Sequence, residues 1–323
     1  MEIFAIPLLK SFDSFQIHYY FEDNSHKMDA FVQNNCEKEF LSIVAEISKR
    51  FEIEIEILTE PLENGGLKRK FKIIEKSAKK YPITASLIVM FLATIFVKPI
   101  EQLSSNLFEK FFEDDSLIEL QKEKLRKENR NLDVDFELKI NQLPRNNIIR
   151  KRVSNFYENL ENYPKVERVS FQKVSNDLSD EELVINKNKF KNFILPTNEL
   201  EPLDLENVSI EIISPVLKKG KYKWRGIYAG QVINFNMNSK DFKAKVQNGQ
   251  IKFINGSAIT ADVKIDRCLD ENGNEKIKSI NVIAVTEYIE QGKSFETEEG
   301  KKKKKEIEAE KQVMKFDFGK EYE

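Results

Sequence analysis

Residues 81–103 read YPITASLIVMFLATIFVKPIEQL and hold an uninterrupted apolar run in a chain that is 33% charged. From Ile83 to Val97 there are fifteen residues without a charge. At ~1.5 Å per residue a helix of that length covers about 22 Å, against a hydrocarbon core of ~30 Å. Lys80 and Lys98 extend it, because their alkyl stems can snorkel, and Tyr81 suits the headgroup level. Every face is apolar or small, whereas a helix on a soluble surface shows a polar side. The expectation is a short transmembrane helix within 79–100; the alternative is the buried central helix of a soluble oligomer.

At about 100° per residue, Thr84, Leu87, Phe91, Thr94 and Lys98 fall within one arc, the candidate pore-lining face. Ser86, Met90, Ala93 and Val97 form a second, small-residue stripe suited to packing. The other reading of the threonines is that their hydroxyls bond back to their own helix. One helix cannot enclose a conducting path, so a pore implies a homo-oligomer in a lipid bilayer. Lys68, Arg69, Lys70, Lys72, Lys76, Lys79 and Lys80 precede the run, and Glu101, Glu109, Glu113, Asp114 and Asp115 follow it. The positive-inside rule then puts the N-terminal domain in the cytoplasm. A complete crossing would export the C-terminal half, whose side of the membrane stays open.

The 323 residues, 40% of them hydrophobic, suit two domains, and a net charge of -2 leaves nucleic-acid or lipid binding to local patches. Cys36 and Cys268 suggest neither a disulfide framework nor a thiolate metal site. His18 and His26 lack metal-ligand spacing and read as structural. The N-terminal MEIFAIPLLKSFD is not patterned as a signal peptide, so the chain is expected to start in the cytoplasm. No phosphate-cradling glycine loop, nucleophile beside a base or paired carboxylate is evident. The expectation is a protein that is not an enzyme, without catalytic residues, metal or cofactor.

Residues 1–78 read as a small β-α-β-β domain. QIHYYF at 16–21 is strand-like, and Phe31, Val32, Cys36, Phe40, Ile43, Val44 and Ile47 recur at helical spacing. FEIEIEILT at 51–59 alternates strictly, with Ile53, Ile55 and Ile57 on one face. After a turn at Glu63, Asn64, Gly65 and Gly66, LKRKFKI alternates again. The acidic outer face of one strand is expected to meet the basic outer face of the next, setting register.

Residues 101–131 read as an amphipathic, charged helical linker, with Phe111, Ile118, Leu125 and Leu132 spaced by sevens. Residues 132–205 read as a mixed α/β connector that opens with a strand, LDVDFELKI at 132–140. Its Glu137-Leu138-Lys139 raises a metal-dependent nuclease only to lack a metal-binding aspartate on a preceding strand. Residues 206–292 carry short strands between turns at Gly230, Asn248-Gly249, Asn255-Gly256 and Asn272-Gly273, as in a small barrel or sandwich. Within this domain Lys218, Lys219, Lys221, Lys223 and Arg225 surround Tyr222 and Trp224, cations for phosphate and rings for stacking. They are the candidate ligand-binding residues; the alternative makes Trp224 a core anchor and the lysines a solvated hairpin. Residues 293–323, with lysines from 301 to 305, read as a solvated, partly disordered tail with a short helix over 306–314. The fold class is α+β.

ILTEPLENGGLKRKFKI at 57–73, followed at once by the apolar helix, together with ISPVLKKGKYKWRGIYAGQVINFNM at 213–237 and IKFINGSAI at 251–259, resembles bacterial membrane-associated proteins of anti-phage defence loci. In particular it is similar to the membrane effector of the Hailong type of system. The resemblance covers most of the chain in general pattern and carries no residue-by-residue motif. It implies a tetrameric inner-membrane channel that a partner nucleotidyltransferase keeps closed with a short deoxyadenylate oligomer. On infection the channel would open, depolarise the membrane and cause abortive infection. A sensor for a cytoplasmic ligand conflicts with an exported C-terminal domain. A different reading of the same features is a membrane-anchored adaptor that binds nucleic acid or a partner without channel activity.

Overall fold

The computed structural model describes residues 13–23, 27–59, 67–78, 85–103, 130–174 and 180–317. The chain forms two compact units, the first of residues 1–197 with 270–274, the second of residues 198–269 with 275–323.

In the first unit, β1 (Ser14–Phe21), β2 (Ile53–Thr59), β3 (Leu67–Ala78), β4 (Val166–Val174) and β5 (Leu183–Asn186) form a sheet in the order β2-β3-β1-β4-β5. The β-α-β-β reading holds for its first half. Strands β4 and β5 come from the stretch read as a connector, and they complete the sheet because β1 pairs antiparallel with both β3 and β4. Helix α1 (Ala30–Phe51) starts where the Asp29 carboxylate accepts from Phe31 N at 2.9 Å and Val32 N at 3.2 Å. Its stripe of Cys36, Phe40, Ile43, Val44, Ile47 and Phe51 is buried. The expected meeting of acidic and basic strand faces is seen in the ion pair of Lys76 with Glu56 at 2.9 Å. Lys68 and Lys70 instead lie opposite His18 and Gln16 of β1, and Arg69 points to α1, pairing Glu37 at 2.6 Å.

The apolar run becomes α2 (Ala85–Val97), a buried helix within its unit, as the alternative reading expected, and the transmembrane reading is left without support. Its thirteen residues span about 20 Å, and Leu87, Ile88, Val89, Phe91, Leu92, Ile95 and Phe96 are fully buried. It packs on β1, β3, β4 and α1, within one hydrophobic core. Phe96 lies 6.1 Å from Phe15, 5.1 Å from Phe171 and 5.0 Å from Phe156 between ring centroids. Such aromatic pairs are worth about 0.5–1.5 kcal/mol each beyond area burial. The Tyr157 hydroxyl donates to the Phe96 carbonyl, satisfying an acceptor at the helix end. Among the described residues no helix is long and apolar enough to cross a membrane. An all-apolar helix needs an apolar surround, and here the sheet and its flanking helices supply it.

The strand expected at 132–140 is helix α3 (Arg130–Gln142). Alternation puts apolar residues at every second position and so also at every fourth, which is a helical stripe. Phe136 and Ile140 are buried, the former edge-on to Phe51 at 6.0 Å, while Val134 and Leu138 are exposed. Helix α4 (Asn147–Glu161) follows. The candidate nuclease lysine, Lys139, donates to the Arg50 carbonyl at 2.8 Å, at the end of α1. Most of the expected heptad linker, at 104–129, lies outside the described residues, as do His26, Lys79, Lys80, Tyr81 and Thr84.

In the second unit, β6 (Glu199–Ser214), β7 (Trp224–Tyr228), β8 (Gln231–Met237), β9 (Ala258–Leu269) and β10 (Glu275–Glu290) close into a five-stranded barrel. The order is β6-β7-β8-β10-β9, with β9 returning to β6, and β8 runs parallel to β10. Helix α5 (Lys240–Gln247) connects the third strand to the fourth. That connectivity is the Greek-key barrel of the OB-fold, which sharpens the barrel-or-sandwich expectation. Strand β11 (Lys293–Glu296) and helix α6 (Glu298–Asp317) follow. Within the expected tail the helix begins at Glu298, ahead of the short helix read over 306–314, and its lysines are paired: Lys301 with Glu298 at 2.9 Å, Lys304 with Glu296 at 2.6 Å and Lys303 with Asp262 on β9 at 2.7 Å. The β7–β8 turn places Ala229 at φ 48° and Gly230 at φ 77°, the left-handed pair of a tight two-residue hairpin. At Gly226 a Cβ would stand 2.6 Å from the Glu211 carbonyl oxygen, so β6 approaches β7 only because that residue is glycine.

Candidate functional site

The barrel's charge is segregated along the chain. Residues 198–214, which supply β6, hold five carboxylates and no cation. Residues 215–252, which supply the loop before β7, the β7–β8 hairpin, α5 and the turn after it, hold nine cations and one carboxylate, Asp241.

The loop from 215 to 223 carries Lys218, Lys219, Lys221, Tyr222 and Lys223, all exposed, with Tyr222 at 59%. Among the described residues none of these lysines, nor Arg225, takes part in an ion pair. Gly220 sits at φ 151°, and a Cβ there would lie 2.6 Å from Tyr222 Cε2, so the ring folds back across the loop's own glycine. Gln247 Nε2, at the end of α5, donates to the Lys218 carbonyl at 3.4 Å. The loop and α5, which carries Lys240, Lys243 and Lys245, therefore share one end of the barrel.

Trp224 separates from the other candidates. It is fully buried, edge-on to Phe253 at 5.6 Å and 6.2 Å from Phe235, as the core-anchor reading expected. Its indole Nε1 has no hydrogen-bond partner among the described residues. Arg225 points outward beside it because strand side chains alternate, and it lies opposite Asn234 of β8. Beyond Asn234, Asn236 also faces outward. It donates from Nδ2 to Asn281 Oδ1 on β10 at 2.8 Å. Asn281 Nδ2 donates to Asp266 Oδ2 on β9 at 2.8 Å, and Ser279 Oγ donates to the same oxygen at 2.6 Å. Those hydrogen bonds, Ser279's first, hold the Asp266 carboxyl below its usual range. Sequence reading missed this amide row. Its members come from three strands, and only the alternation of Asn234 and Asn236 within β8 hinted at it.

The expected pore face is divided in the first unit. Leu87 and Phe91 are core residues, and the Thr94 hydroxyl donates back to the Met90 carbonyl at 3.0 Å. Thr94 and Lys98 join Met90, Ala93, Val97, Lys173, Asp180, Glu181 and Leu183 around a cavity of about 290 Å³. Met90, Ala93 and Val97 of the expected packing stripe thus line the cavity beside Thr94 and Lys98 of the expected pore stripe.

One polar cluster of the first unit involves His18. Its Nδ1 lies 3.3 Å from Glu182 Oε1, which also accepts from Tyr20 at 2.7 Å and from Ser170. Burial lowers the His18 pKa, against the opposing pull of Glu182. Ser170 donates to the carboxylate rather than to the imidazole, so no nucleophile-base pair forms. Among the described residues no group of three or more His, Cys, Asp or Glu side chains could hold a metal ion. No protein-family model, curated protein or solved structure matches the chain.

Proposed function

We propose that the barrel binds a short single-stranded oligonucleotide at the end formed by the 215–223 loop, β7, β8 and α5. The observation that carries this reading is the set of nine cations against one carboxylate over 215–252. Exposed cations without carboxylate partners are free to displace counterions from phosphates. OB barrels characteristically engage oligonucleotides or oligosaccharides with the second and third strands and the loop between the first two. Fold analogy alone does not assign a ligand; the local charge argues for the phosphate-bearing one.

The test is fluorescence anisotropy of an end-labelled single strand titrated with the full chain over a salt series. Lys218→Ala with Lys219→Ala and Lys221→Ala is expected to weaken binding and flatten the salt slope by ~0.7 per lost phosphate contact. Saturable binding with an unchanged slope in the triple variant would move the site elsewhere.

A second reading retains the anti-phage effector: a tetramer at the bacterial inner membrane, N-terminal unit cytoplasmic, whose pore answers to the bound oligonucleotide. What favours it is that α2 has no polar face. It requires α2 to leave the core of its unit. Oligonucleotide-dependent ion flux through protein-loaded liposomes tests it; binding without flux favours an adaptor role.

A further inference from the structure

We infer that the amide row on the barrel wall makes the proposed oligonucleotide site selective for bases bearing an exocyclic amino group, with Asn236 Oδ1 as the reading atom. This rests on the reading of the barrel as an oligonucleotide site and names what that site prefers.

An isolated asparagine offers a donor or an acceptor equally, because its amide can flip. Here the flip is decided from one end. Asp266, an ionised carboxylate, only accepts, so it draws the Nδ2 of Asn281, at 2.8 Å. Asn281 must then present Oδ1 to Asn236, whose Nδ2 donates to it at 2.8 Å. The chain of bonds ends at Asn236 Oδ1, an acceptor without a hydrogen-bond partner among the described residues. Asn281 is 8% exposed, which keeps the middle of the row from exchanging its bonds with water.

The position suits the ligand. β8 runs antiparallel to β7 with Phe235 opposite Trp224, so Asn236, one residue on, lies where the lysine loop enters β7. A phosphate held by Lys221 or Lys223 leaves its base beside this wall. Cytosine projects an amino donor beyond its ring toward such an oxygen. Uracil offers there only a ring N–H flanked by two carbonyl oxygens, which repel the same acceptor.

The experiment compares end-labelled oligo(dC) and oligo(dU) of about eight nucleotides, within the site size of one OB barrel. They bind the full chain at neutral pH, with Trp224 fluorescence reporting that the barrel is folded. The wild type is expected to favour oligo(dC) about fivefold, the worth of one hydrogen bond. Asn236→Leu removes the acceptor and brings the ratio toward one with oligo(dU) binding retained. Asp266→Asn leaves Asn236 in place but frees the row to flip, and lowers the ratio as well. Equal affinity of the wild type for both strands, or a ratio untouched by Asp266→Asn in folded protein, overturns the inference alone. Failure to bind either strand overturns the oligonucleotide reading and this inference with it.

Discussion

Phe96 and Phe156 meet edge to face, ring centroids 5.0 Å apart, and this contact joins α2 to α4 inside the first unit. The Tyr157 hydroxyl on the Phe96 carbonyl, one residue further along α4, makes the same junction with a polar bond. Rings from α1, β1, β4 and α4 thus contact this apolar helix.

A cavity or a charge in α2 should therefore act on folding. Phe96→Ala is expected to cost about 3–5 kcal/mol, as for other buried phenylalanines. Val89→Asp, which buries an unpaired carboxylate, should cost at least as much. Denaturant midpoints of the full chain measure both. An unchanged midpoint in Val89→Asp would show that α2 is not in the core.

In the second unit Trp224→Ala and the lysine substitutions should separate. Trp224→Ala is expected to destabilise the barrel by about 3–5 kcal/mol. The Lys218, Lys219 and Lys221 triple alanine variant should melt within a degree or two of the wild type while losing ligand. Thermal melts followed by circular dichroism make the comparison.

Acid should weaken the first unit through His18 and Glu182. Burial lowers the folded-state pKa of His18 from 6.5, so the unfolded chain binds its proton more readily. Its stabilising contribution is present above pH 6.5 and falls as pH drops toward the folded pKa. The Glu182 pKa is also lowered. Burial opposes the shift, and the bonds from Ser170, Tyr20 and His18 outweigh it, so that contribution is lost below pH 4.5. Urea midpoints measured from pH 7.5 to 5 should decline in the wild type and less steeply in His18→Gln. Parallel curves would exclude His18 as the cause.

Cys36 is fully buried, and burial raises its thiol pKa far above the usual range, whereas Cys268 is part-exposed on β9. A thiol reagent should label Cys268 in the native protein and reach Cys36 only when the first unit unfolds. Labelling of both at equal rates under native conditions would contradict the packing of α1.

Lys303 binds both oxygens of Asp262 at 2.7 Å and Glu206 at 2.9 Å, tying α6 to β9 and β6. Lys303→Ala should loosen α6 by about 1 kcal/mol, as for a partly exposed ion pair. Amide exchange over 298–309 should quicken while exchange in β7 and β8 does not change.

By itself the sequence determined what periodicity and turn chemistry determine: the alternating strands at 51–59 and 67–73, the helical stripe of α1, the turn at Gly230 and the basic stretch with its aromatics at 218–225. It also isolated the apolar run, because fifteen uncharged residues among so many charges have no other reading than burial. What surrounds that run was a tertiary matter. Bilayer and protein core are both apolar solvents, and α2 alone cannot distinguish them; the sheet of β1, β3 and β4 with the Phe15, Phe156 and Phe171 rings decides. The helix at 130–142 was likewise hidden, since apolar residues at every second position satisfy a strand and a helix alike until Phe136 finds Phe51. The barrel's closure and the row from Asn236 through Asn281 to Asp266 depend on strand pairs more than forty residues apart for Asn236 and Asn281, and only the folded sheet brings them within hydrogen-bonding distance.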